Sequence, residues 1–100
     1  MNLTNNAQSQ ISDLVRHGKE CFPKKNVFFR VSAQKSISSI DDCYLLVDYD
    51  EMDRDLVFKY DEFEVRSDDK SIENLSGYAI DYSADPGKEG FILKNIGEPA

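Results

Sequence analysis

Tryptophan is absent from the 100 residues, histidine occurs once, cysteine twice, and 12 basic side chains face 19 acidic ones. Each shortage excludes something. With His17 the only imidazole, set at the end of a helical stretch where it complements the helix dipole, no Ser–His–Asp arrangement is legible. Cys21 and Cys43 are too few for a disulfide scaffold, and a reducing compartment keeps both as thiols. A net charge of −7 leaves no basic face for phosphate, which argues against nucleic acid and against anionic membrane surfaces. No apolar run approaches the ~20 residues needed to span a bilayer. The opening MNLTNNAQSQ has neither the basic nor the apolar region of a signal peptide, so the expected location is the cytoplasm. Neither G-x-G-x-x-G nor G-x-x-x-x-G-K occurs, which removes the familiar phosphate cradles.

What remains suffices for a core. Hydrophobic residues make up 40% and aromatics 11%, while 31% charged residues solvate the rest, so one domain over residues 1–100 is expected, with 96–100 as a frayed tail. Thr4 caps a helix over residues 3–17, whose Ala7, Ile11, Leu14 and Val15 form an apolar stripe and which Gly18 should stop. Pro23 then bars continuation. From Val27 the period becomes two: Val27, Phe29 and Val31 share one face, Phe28 and Arg30 the other. Residues 33–42 read as a loop and 43–50 as a strand, with an acidic turn at 51–55. Residues 56–60 and 62–67 form a hairpin. A short helix follows, capped by Asp68 or Asp69 and ended by Gly77, then two strands around the turn at 84–90. The order α-β-β-β-β-α-β-β is that of an α+β fold.

Three chemistries are conceivable from these residues. Asp48, Asp50, Glu51, Asp53 and Asp55, with Asp41 and Asp42 before them, suggest a divalent cation. A calcium loop, however, needs a central glycine and a distal glutamate, and Lys59 stands where that glutamate would fall. A solvated acidic surface that steers basic partners is the plainer expectation. Cys21, in a lysine-flanked segment, is the candidate for thiol chemistry. The aromatics lie at strand spacing and read as packing.

As a whole the chain resembles the HesB, or A-type iron–sulfur carrier, family (IscA- and SufA-like proteins). The stretch from Tyr44 to Asn95 carries most of the likeness: Asp55-Leu56-Val57-Phe58 after an acidic linker, a strand ending at Val65, the Asp69–Leu75 helix closed by Gly77, Ile80-Asp81-Tyr82, and a glycine turn into Gly90-Phe91. Leu3-Thr4, the Ala7 helix and the Arg30-Val31 strand fit as well, so residues 2–97 are covered. The resemblance implies mixed, curved sheets with two short helices, assembly into dimers or tetramers, and a place in iron–sulfur cluster biogenesis.

In the family three cysteines hold the metal, one in a Cys-Ser-Gly loop and two in a Cys-Gly-Cys after Asn-Pro. Here the loop is Lys35-Ser36-Ile37-Ser38-Ser39, Asn95 precedes Ile96, and no Cys-Gly-Cys appears. Serine hydroxyls stay protonated near neutral pH and replace thiolates poorly. The expectation is therefore a cysteine-depleted relative, not an enzyme and without a cofactor. It would be a protein-binding accessory or regulatory module, with Asp48, Asp50, Glu51 and Asp53 meeting the partner and a homodimer as one of its assemblies. The alternative is an iron or iron–sulfur carrier that uses Cys43 and Cys21 at an oligomer interface. Packed as a small hydrophobe, Cys43 would serve no such role.

Overall fold

The computed structural model describes residues 1–35 and 40–96. Among the described residues, seven strands and two helices are arranged as two sheets with one helix between them: β1 (Asn2–Leu3), α1 (Asn5–Cys21), β2 (Phe28–Lys35), β3 (Ile40–Asp48), β4 (Leu56–Lys59), β5 (Glu64–Ser67), α2 (Asp69–Asn74), β6 (Tyr78–Ser83) and β7 (Gly90–Asn95). One sheet has the order β1-β6-β7 and the other β3-β2-β5-β4. Both are mixed, because β1 runs parallel to β6 and β2 parallel to β5 while the remaining pairs are antiparallel. The α+β expectation holds. Among the described residues no helix is long and apolar enough to cross a membrane.

The core follows from the two periodicities. Ala7, Ile11 and Val15 of α1 are fully buried against Phe29, Val31 and Ala33 of β2, Val65 of β5 and Ile80 of β6. The helix start is a cap: the Thr4 hydroxyl accepts from the Ala7 N–H at 3.2 Å and donates to Asp81. Asp81 also meets the Lys94 ammonium at 2.8 Å. Lys94 and Thr4 together hold its carboxyl at about 2, so it stays ionised and ties the entry of α1 to the three-stranded sheet.

Three boundaries differ from expectation. Residues 2–3 form β1 rather than the first turn of the helix, because pairing with Ala79 and Ile80 satisfies their backbone. The helix runs through Gly18 to Cys21, with Phe22 as its C-cap. Gly18 is buried, and a Cβ there would lie 2.9 Å from a methyl of both Val27 and Val47. It is glycine for close approach rather than for a stop. The stretch expected as a loop contributes strand at both ends, to Lys35 and from Ile40. The Ser71 hydroxyl accepts from the Ala33 N–H at 2.9 Å and the Asn74 amide donates to the Ala33 carbonyl at 2.8 Å, so α2 holds β2 extended where its own sequence does not. The serines at 36–39 and the tail at 97–100 lie outside the described residues.

Candidate functional site

The acidic segment after β3 is built around a cation the protein supplies itself. Arg30 projects from the face of β2 opposite the core, where alternation also puts Phe28. Its Nε donates to Asp48 at 2.8 Å, its two terminal nitrogens to Asp55 at 2.8 and 3.0 Å, and Nη2 also to the Asp50 carbonyl at 2.7 Å. The carboxylates are fixed in turn. Asp48 accepts from the Tyr49 and Asp50 N–H groups at 2.8 and 3.1 Å, and Asp55 from the Met52 N–H at 3.0 Å. The Arg30 side chain is only 11% exposed and that of Asp55 5%. Pairing with Arg30 holds the Asp55 carboxyl below the usual range. Burial pushes Asp48 upward, but the Arg30 and backbone donors outweigh it and the net shift is downward. Asp55 is likewise the main reason the Arg30 guanidinium binds its proton more tightly than usual.

This knot explains a buried aromatic on the outer face. Phe28 has no exposed surface because two guanidinium groups roof its ring, Arg30 at 5.1 Å and Arg66 at 4.7 Å from the centroid. Arg66 Nε is buried without a hydrogen-bond partner, and the ring it covers is the only compensation in view among the described residues.

The acids expected to meet a partner therefore divide. Asp48 is committed to Arg30, while Glu51 is 61% exposed and lies 3.2 Å from Arg66. Asp50 and Asp53 are exposed, and the side chains of Asp41 and Asp42 lie outside what is described. Sequence reasoning missed Arg30, although a signal existed. It is the one charged residue in the run Val27–Ala33, and a charge among such apolar neighbours needs a partner.

The two cysteines are kept apart within one chain. Cys43 pairs across the strands with Ala33 and shares its core-facing side, half-buried, and burial pushes its thiol pKa up. Cys21 is exposed at the end of α1. The approach of Gly18 to Val47 and the stacking of Phe22 on Tyr49 put that helix end at the far end of β3. Val47 is four residues from Cys43, about 13 Å along an extended strand, so the two cysteines lie toward opposite ends of β3. Among the described residues no three His, Cys, Asp or Glu side chains converge as a metal cage.

Cys21 has a different neighbour. Its Sγ lies 3.8 Å from His17 Nε2, one helical turn back. The other ring nitrogen, Nδ1, lies 4.0 Å from Glu20. Ending the helix at Gly18 hid this pairing, which an i,i+4 reading through residue 21 makes visible. Elsewhere, a cleft of about 350 Å³ between α2 and β2 is lined by Ser32, Gln34, Asp68, Lys70, Ser71 and Asn74. Its Ser71 and Asn74 are engaged in holding Ala33, and no thiol or imidazole enters it.

No protein-family model and no curated protein sequence matches the chain. Solved structures do. SufA of Escherichia coli, described as involved in biosynthesis of iron–sulfur clusters, superposes with a TM-score of 0.67 at 17% identity, covering 94% of this chain and 78% of its own. IscA with a [2Fe-2S] cluster gives 0.64 at 20% identity, over 94% and 83%. A protein from Aquifex aeolicus gives 0.58 at 21% identity, over 95% and 90%. The chain has the fold of SufA and IscA.

Proposed function

We propose that this protein is a cluster-free relative of the A-type carriers that works by binding a protein partner in iron–sulfur cluster assembly. One observation carries the reading: the fold of SufA extends over 94% of the chain, yet the loop that holds a cysteine in the family reads Lys35-Ser36-Ile37-Ser38-Ser39 here. The nearest thiol, Cys43, faces the core, where burial disfavours the thiolate a cluster needs. What the scaffold offers outward is a protein-binding surface. Asp50, Glu51 and Asp53 are exposed around the exposed Met52, and Tyr44 and Leu46 are exposed on β3, which leads into this acidic segment. Such an acidic segment favours a basic partner. The work is placed in the cytoplasm, without nucleic acid or membrane, and a homodimer fits the same resemblance.

The test is genetic and biochemical together. Deleting the gene should lower the activity of cellular iron–sulfur enzymes. The wild-type protein should restore it, and a triple variant Asp50→Asn, Glu51→Gln, Asp53→Asn should not. Unchanged enzyme activities on deletion, with no partner captured by the wild-type protein, sink the proposal. The carrier alternative would need Cys43 and Cys21 from different chains, given their separation within one.

A further inference from the structure

The helix end carrying Cys21 holds a pair of metal-ligating groups that the reading above does not use. We propose that His17 and Cys21 form a surface site for a borderline-soft divalent cation, zinc by the chemistry of its donors. The geometry is the first support. A zinc ion about 2.3 Å from sulfur and about 2.0–2.1 Å from nitrogen spans two ligands by about 3.6 Å at a tetrahedral angle. The observed Sγ···Nε2 separation of 3.8 Å needs only a slight opening of that angle. No backbone movement is required, because i,i+4 spacing on a continuous helix sets the distance.

The second support is the other side of the imidazole. Nδ1 faces the Glu20 carboxylate at 4.0 Å while Nε2 faces the sulfur. A small closure makes Nδ1–H the donor to Glu20 and leaves the Nε2 lone pair for the metal, the carboxylate–histidine–metal order that orients such ligands. The site is open, since the His17 side chain is 77% exposed and Cys21 is exposed too. It also lies at the C-terminal end of α1, where the helix dipole favours a cation. Two protein donors leave the remaining coordination positions to water or to the same pair from a second copy.

The site stands independently of the partner-binding role, and its test is made on the full chain, reduced and free of metal. Titration with Co²⁺ should produce a thiolate-to-cobalt charge-transfer band, and Zn²⁺ should displace it. A stoichiometry of one ion per chain, or one per two chains, supports the site. Cys21→Ser and His17→Gln should each abolish the band, Glu20→Gln should weaken zinc binding about tenfold, and Cys43→Ser should change nothing. Cys21→His provides the sharper variant: zinc is retained while the charge-transfer band disappears. All four positions are solvent-exposed or only half-buried, and unchanged circular dichroism will show that the five variants fold. Absence of the band in the wild-type chain overturns the proposal. So does a band that survives Cys21→Ser, or one lost in Cys43→Ser.

Discussion

Arg30 and Asp55 meet side by side across the outer face of the four-stranded sheet, two guanidinium nitrogens on two carboxylate oxygens at 2.8 and 3.0 Å. Asp55 closes the acidic segment that begins at Asp48, so this pair folds the segment back onto β2 and fixes which of its carboxylates remain outward. Bidentate pairs of this kind are the stronger ion pairs, and little water reaches this one. Arg30→Ala would leave Asp48 and Asp55 without their cation and uncover Phe28 as well. The expected loss is about 3 kcal/mol, in the range for breaking a buried pair, read from the denaturation midpoint. Glu51→Ala, removing an exposed partner of Arg66, should cost no more than about 1 kcal/mol.

Gly18 provides a second test, with opposing contributions. Alanine in the middle of a helix gains about 1 kcal/mol over glycine. Here its Cβ would lie 2.9 Å from Val27 and Val47, whose branched side chains have little freedom to move away. Overpacking of this kind costs about 1–3 kcal/mol. Gly18→Ala should therefore lower the melting temperature, whereas a glycine acting only as a helix stop would show no such steric cost. An unchanged or raised melting temperature would contradict the close approach.

The parts of the fold legible in the sequence were those fixed by local pattern. The stripe of Ala7, Ile11 and Val15, the alternation from Val27 to Val31, the Thr4 and Asp68 caps and the hairpin joining β4 to β5 all follow from spacing alone. What escaped was set by distant contacts. Gly18 was interpretable only once Val47 lay against it, and Ala33 extends because Ser71 and Asn74 grip its backbone from 38 and 41 residues away. The site divides in the same way. The acidic residues were countable, but their organisation depends on Arg30, 18 residues before Asp48 and 25 before Asp55.

Acid should destabilise the protein over a defined window. Asp81 titrates at about 2 in the folded chain, against about 3.9 for a free aspartate. Between those values the unfolded chain binds more protons, so stability falls as pH drops. Asp48 and Asp55, also shifted down, add to the same limb. Thermal melts from pH 7 to 2 should show this decline, and Asp81→Asn should flatten part of it. An acid limb identical in Asp81→Asn and wild type would contradict the assignment.

The two thiols should react at different rates. Cys21 is exposed, whereas Cys43 is half-buried with its pKa pushed up. Because the thiolate is the reactive species, alkylation of the folded chain at neutral pH should modify Cys21 about tenfold faster or more. Denaturant should equalise the two. On the alkaline side the sign reverses: the unfolded Cys43 ionises first, so its contribution to stability fades as pH rises above about 8.5. Equal alkylation rates in the folded chain would place Cys43 outside the core.

The most direct test of the proposed cluster-free role is anaerobic reconstitution with iron and sulfide, followed by a visible spectrum and an iron-to-protein ratio. The account predicts a colourless, folded protein with iron well below one per chain after desalting. A stable sulfide-to-iron charge-transfer spectrum with stoichiometric iron, lost in Cys43→Ser, would contradict it and restore the carrier role.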